Sequence, residues 1–218
     1  MPRPVICGVI VDSDQAAIET AGPLVDMFEV RIDRIGDGWQ ELVGQLGKPL
    51  IACNRLAAEG GNWRGSEARR KEELLRAAEL GAAVIDIELA TANLERLVPM
   101  IKKRARCLIS FHHMESTPPL PELKKVVQRQ AAAGADICKV VTTAQRFNDN
   151  LTLLELLAAL PGTEITAFAM GEAGLTSRVL GPLLGGGLAY AALKDSGQSA
   201  AGQPTVAQLH KLYELIKR

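Results

Sequence analysis

Ala135-Asp136-Ile137-Cys138-Lys139-Val140-Val141 is a short apolar run, too brief for a helix and rich in β-branched residues, with a lysine at its centre. Longer amphipathic stretches flank it, residues 121–133 before and 150–160 after, and Gly134 stands at the first joint. Helix, apolar strand, helix is the repeating unit of a parallel sheet whose faces are covered by helices. A strand buried in this way leaves the Lys139 ammonium only a cavity to occupy. Loss of hydration disfavours the charged form, so the expected pKa is lowered, and a neutral amine can form a Schiff base with a ketone or aldehyde. The plain alternative is a strand-end lysine whose stem reaches water. The rest of the chain decides between them.

The same alternation runs outward in both directions. Strand-like runs occupy residues 4–11, 27–33, 49–55, 83–89, 106–112, 136–142, 164–170 and 188–194. Helix-like stretches occupy 14–20, 39–46, 66–80, 93–104, 121–133, 150–160, 176–184 and 205–216. Ser66 is placed to cap one helix, Pro121 falls in a first turn, and Gly81, Gly134 and Gly162 fall just past helix ends. Eight βα units without a linker or charge-biased segment predict a closed (β/α)8 TIM barrel, one domain over residues 1–218. The competing open doubly wound sheet calls for a glycine-rich turn after the first strand, where this chain has Asp12-Ser13-Asp14.

Lys+Arg and Asp+Glu both number 25, so the formal net charge is zero and no basic face points to nucleic acid or membrane. The expected partner is a small molecule. Cys7, Cys53, Cys107 and Cys138 each lie in a strand-like run without metal-ligand spacing. They read as reduced core residues of a cytoplasmic protein. Residues 1–4 enter the first strand without a leader pattern, and no apolar run approaches a membrane span. No histidine and carboxylate cluster has metal spacing, and neither metal nor cofactor is expected.

Strand parity locates the chemistry, because alternate side chains face opposite sides. Met27, Glu29, Arg31 and Asp33 share one face; Cys53 goes with Arg55, Asp86 with Glu88, Ser110 with His112, and Lys139 with Ile137 and Val141. In a barrel these faces point inward, toward the C-terminal mouth where active sites lie. Structural ion pairing could explain any one strand. Five strands together predict a functional cavity. His112, one strand from Lys139, can shuttle the protons of imine chemistry. His113 has the opposite parity, and His210 falls on the last helix. Glu59 can orient the imidazole from a loop, and Arg178 can hold a carboxylate with its planar fork. Gly185-Gly186-Gly187 precedes a strand and reads as a helix stop, not a phosphate cradle. The residues alone point to imine chemistry on an anionic carbonyl compound.

Over nearly its whole length the chain resembles type I 3-dehydroquinate dehydratases. The matching pieces are Glu29-Val30-Arg31-Ile32-Asp33, the segment Arg55-Leu56-Ala57-Ala58-Glu59-Gly60-Gly61, Asp86-Ile87-Glu88, Ser110-Phe111-His112 with Thr117-Pro118, the strand around Lys139, the segment 170–178 with its Ser177-Arg178 pair, and Ser199-Ala200-Ala201-Gly202-Gln203. The resemblance implies that Lys139 forms an imine with the C3 ketone of 3-dehydroquinate. His112 would remove the C2 proton and assist loss of the C1 hydroxyl, with Glu59 as its partner. Glu29, Arg31 and Arg55 would hold the ring and its hydroxyls, Arg178 the carboxylate, and Ser199 and Gln203 would belong to a loop closing over the site. It implies a shikimate-pathway hydro-lyase, and carries the expectation of a homodimer. Ala201 replaces a proline of the family loop, His113 stands where an acidic or amide residue is common, and Gly8 is taken to occupy the place of a first-strand serine, so that contact is not carried over. Another imine-forming barrel, such as a class I aldolase, or a non-catalytic barrel are the alternatives; only the last forms no covalent adduct.

Overall fold

The structure, a computed structural model, describes residues 4–216. The expectations for residues 1–3 and for the extreme ends of the 1–218 domain lie outside the described residues. In chain order the first half carries β1 (Val5–Ile10), α1 (Gln15–Ala21), β2 (Met27–Arg31), the single turn α2 (Ile32–Ile35), α3 (Trp39–Gln45), β3 (Leu50–Cys53), α4 (Glu67–Glu79), β4 (Val84–Glu88) and α5 (Leu94–Ile101). The second half carries β5 (Arg106–His112), α6 (Leu120–Ala132), β6 (Ile137–Thr143), α7 (Asp149–Ala159), β7 (Ile165–Met170), α8 (Leu175–Leu183), β8 (Leu188–Ala192) and α9 (Val206–Ile216).

Local signals set many of these ends. The Ser66 hydroxyl accepts the Arg69 N–H at 3.2 Å and starts α4, the expected cap. Pro121 lies in the first turn of α6, where a missing N–H costs nothing. Gly81, Gly134 and Gly162 all have positive φ, the left-handed stop that glycine makes without strain. The run 27–33 is not all strand. It turns after Arg31, and Asp33 reaches back from α2 to pair with Arg31.

All strand pairs are parallel, in the order β7-β6-β5-β4-β3-β2-β1-β8, an (β/α)8 TIM barrel that is nearly closed. Among the described residues no ladder joins β7 to β8. That seam is crossed by side chains: Thr166 Oγ1 accepts the Leu188 N–H at 3.1 Å, and the Phe168 and Tyr190 rings lie 5.7 Å apart.

Alternation along the strands divides the core in two. Outward residues such as Phe28, Val30, Ala52, Ile85 and Ile109 pack under the helices. Inward residues, among them Cys7, Ile51, Val84, Leu108 and Ile137, fill the barrel floor. Trp39 illustrates the outer layer: it is buried, and its Nε1–H donates to Glu73 at 2.9 Å, so α3 and α4 are tied by one side chain. Truncating such a residue to alanine costs about 3–5 kcal/mol. The four cysteines are buried and unbridged.

Parity also corrects the first-strand assignment. A Cβ on Gly8 would meet Leu193, Val25 and Phe28 at 2.9, 3.0 and 3.3 Å, so this position faces the helices. The flanking Cys7 and Val9 are the inward ones.

Candidate active site

The inward charges converge in one cavity of about 290 Å³ at the C-terminal mouth. Its lining includes every residue given a catalytic or substrate-binding role from sequence: Lys139, His112, Glu59, Glu29, Arg31, Arg55, Arg178, Ser199 and Gln203; Asp86, also read as inward, lies beneath it against Lys139. Register brings the first two together, since Ser110 pairs with Lys139 and His112 with Val141 across β5 and β6. Gln130 of α6 braces this pair of strands from behind, its Nε2 donating to the carbonyls of Ile109 and Lys139 at 3.0 and 2.8 Å.

Lys139 is 4 % exposed. Its Nζ donates to Glu29 Oε1 at 3.2 Å and Asp86 Oδ2 at 3.0 Å, and lies 4.0 Å from the Tyr190 ring centre. The expected lowering of its pKa is therefore reversed. Burial pulls the value down, but Asp86 and Glu29 outweigh burial and the resting group is a stabilised ammonium. Burial would raise the Asp86 carboxyl, yet Arg55 and Lys139 hold it well below the usual carboxylate range.

From Asp86 a chain of buried ions runs outward. Arg55 Nη2 meets Asp86 at 2.7 Å and its Nη1 meets Glu88 at 3.0 Å and the Ser110 hydroxyl at 2.6 Å. Glu88 is shared with Arg70 of α4, whose guanidinium also contacts Glu67 and Thr91. Each charge has an opposite partner, as burial demands. Arg31 is likewise satisfied, with Nε and Nη2 on the two Asp33 oxygens at 2.8 and 2.7 Å.

Glu59 sits on a tight loop after Arg55. The backbone there folds so closely that a Cβ on Gly61 would lie 2.0 Å from the Arg55 carbonyl oxygen, so glycine is required. The loop delivers Glu59 Oε2 to two N–H groups of His112, the backbone at 3.1 Å and ring Nδ1 at 2.8 Å. With Nδ1 taken, Nε2 is the nitrogen left for a substrate proton. Burial, then Arg55 and Lys139, push the His112 pKa well below its ordinary value, so the imidazole is neutral. Burial raises Glu59 to about 7 against the pull of Arg55. His113 faces elsewhere, its Nδ1 accepting the Ser116 N–H at 3.1 Å.

Arg178 is different. It is 4 % exposed, its Nε and Nη2 have no hydrogen-bond partner among the described residues, and its guanidinium carbon lies 4.4 Å over the Phe168 ring. Burial alone brings its pKa down to about 9. A buried cation without an anion is a receptor for one. Beside it lies the loop after β8. Ser199 N–H and hydroxyl donate to Gln203 Oε1 at 2.8 and 2.9 Å, Arg34 donates to the Ser199 carbonyl at 3.3 Å, and the Gly171 N–H donates to the Ala201 carbonyl at 3.0 Å. A Cβ on Gly202 would stand 2.3 Å from the Gly171 carbonyl oxygen, so glycine lets the loop lie down on the mouth.

Glu29, Cys53 and Asp86 each offer a ligand atom within 4.8 Å of the others. A cation there would compete with the Lys139 ammonium, which already touches both carboxylates. The aromatic wall, Phe168 and Tyr190, and the arginine behind Glu88, Arg70, were not among the site residues read from sequence. Inward parity in β7 and β8 was the available signal for the rings; nothing along the chain ties Arg70 to Glu88.

Comparison with known proteins gives a consistent result. Residues 6–218 match the family model described as type I 3-dehydroquinase. A 3-dehydroquinate dehydratase of Dehalococcoides mccartyi is 41 % identical over 216 residues, covering 99 % of this chain and 97 % of that protein. One from Methanocaldococcus jannaschii is 33 % identical over 215 residues, covering 95 % and 96 %. Among solved structures, 3-dehydroquinate dehydratase from Aquifex aeolicus superposes with a TM-score of 0.84 at 25 % identity, over 98 % of this chain and 99 % of that one. The Clostridium difficile type I enzyme with covalent modified comenic acid gives 0.87 at 24 % identity, over 99 % and 93 %, a likeness of fold.

Proposed function

The chain belongs to the type I 3-dehydroquinase family, and from that premise we propose how this hydro-lyase, a 3-dehydroquinate dehydratase, uses the cavity. Lys139 is the Schiff-base nucleophile, His112 the general acid and base, and Glu59 the group that orients His112. Lys139 first yields a proton, for which neutral His112 is the acceptor in the same cavity. The free amine adds to the C3 ketone, and the carbinolamine hydroxyl takes the proton back from His112 and leaves as water, which gives a protonated imine and returns His112 to its neutral form. That imine is the electron sink for removal of the C2 proton by His112 Nε2. The resulting enamine expels the C1 hydroxyl, which takes the proton back from His112 and leaves as water. Hydrolysis of the imine releases 3-dehydroshikimate and restores Lys139.

Arg178 holds the substrate carboxylate, a role supported by its unpaired buried nitrogens. Glu29, Arg31 and Arg55 position the ring and its hydroxyls, and Ser199 with Gln203 close the mouth and exclude water. The whole chain acts as one catalytic domain in the cytoplasmic shikimate pathway of aromatic amino acid biosynthesis, as a homodimer, without metal or cofactor. The observation that carries this reading is the meeting of a carboxylate-held lysine, a neutral histidine with its glutamate, and an unpaired arginine in one cavity.

The test is borohydride reduction in the presence of 3-dehydroquinate with peptide mass mapping. A mass increment on Lys139 is expected. Its absence from the wild-type protein sinks the Schiff-base reading, and an increment that persists in Lys139→Ala places the label elsewhere.

A further inference from the structure

Building on the Schiff-base reading of Lys139, we infer that Tyr190 is a further catalytic residue: the face of its ring keeps the imine nitrogen protonated while that nitrogen serves as electron sink. Nζ lies 4.0 Å from the ring centre. The ring is 5 % exposed and braced by Phe168 at 5.7 Å and 47°, so it has little room to swing away. Its hydroxyl is buried without a hydrogen-bond partner among the described residues. The ring face, not the hydroxyl, makes the contact with Lys139.

The need for such a contact follows from counting protons. The resting ammonium has three N–H groups and uses two of them on Glu29 and Asp86. A protonated imine has one, so it holds at most one of these carboxylates by a linear hydrogen bond. It is also an sp² nitrogen, far less basic than the amine it came from. Deprotonated, it no longer draws electrons from C2. The charged or ionisable groups facing it are Cys7 from β1, Glu29 from β2, Cys53 and Arg55 at the end of β3, Asp86 from β4 and His112 from β5. The buried thiols stay neutral, Arg55 repels the cation, and the carboxylates are shared with it. A ring face attracts a cation without requiring an N–H and without orienting it. It is the one contact that survives the change from ammonium to imine undiminished.

The experiment is the pH profile of kcat, whose alkaline limb reports groups in the bound complex. Replacing Tyr190 by phenylalanine, then by phenylalanines of increasing ring fluorination, weakens the negative face with little change of volume. The expected result is an alkaline limb that moves progressively down, by about 0.5–1 pH unit at the most fluorinated ring, with Tyr190→Phe itself unshifted. Tyr190→Leu, where it folds, shifts at least as far. A limb that stays fixed across the fluorinated series overturns the inference, and so does a Tyr190→Phe shift equal to the largest. Borohydride labelling of each protein separates the two levels. An adduct on Lys139 with an unmoved limb defeats the ring alone, and no wild-type adduct defeats the Schiff-base reading and the ring with it.

Discussion

The two sides of the barrel are built on opposite principles. From β2 to β6 the strands are joined by continuous ladders, and the charges they carry are satisfied in sequence from Lys139 through Asp86, Arg55 and Glu88 to Arg70. Between β7 and β8 no ladder forms among the described residues, the wall is aromatic, and Arg178 is buried with two nitrogens that find no partner among those residues. The first side has its charges paired within the protein and holds Lys139 and His112 in register. The second, with its loop already laid on the mouth, still leaves two Arg178 nitrogens without a partner among the described residues. On the proposed mechanism, catalytic preorganisation and substrate capture are separated within one cavity, and they answer differently to mutation.

The largest contrast is expected on the ordered side. His112→Ala lowers kcat about 10²–10⁴-fold, while His113→Ala, whose ring faces Ser116, changes it by no more than about twofold. Steady-state kinetics of both variants decide the matter, and equal losses would mean that the cavity does not distinguish the two rings. The pH profile sharpens the same point. Glu59 must be ionised to accept the Nδ1–H, and its pKa is raised to about 7, so activity falls as pH drops through that value. Glu59→Gln removes this acid limb.

On the capture side the expected effect is smaller and of another kind. With Arg178 holding the substrate carboxylate as proposed, Arg178→Ala is expected to lower kcat/KM about 10- to 100-fold, chiefly through KM. A pure kcat loss would place Arg178 with the preorganised groups and break the comparison. The smallest effect is expected from Ala201→Pro. None of the hydrogen bonds among the described residues uses the Ala201 N–H, and stiffening the unbound loop stabilises its lowered form by about 0.4–1 kcal/mol. The readout is a few-fold lower KM with unchanged Tm of the substrate-free barrel core.

Much of this was legible along the chain. The eight alternating runs and the glycine stops specify a (β/α)8 barrel, because each element's period and ends are local properties. Parity placed Glu29, Arg31, Arg55, Asp86, His112 and Lys139 on inward faces, because neighbouring parallel strands keep a common pleat. The limits were also physical. Parity could not show that β2 turns after Arg31 or that Gly8 faces outward, since one residue of slip reverses every side chain. Glu59, Ser199 and Gln203 sit on loops, where no period operates.

What the sequence by itself determined was the barrel, its mouth and the company Lys139 keeps. Only the tertiary structure decided the state of that company. It set two carboxylates against Nζ and reversed the pKa shift that burial alone predicts, passed the charge chain back to Arg70 on α4, left two Arg178 nitrogens without a partner among the described residues, and laid a tyrosine ring against Nζ. Secondary structure follows from residues near in the chain. The balance of desolvation against charge depends on distances between residues as far apart as Glu29 and Lys139, which exist only once the barrel has curled round.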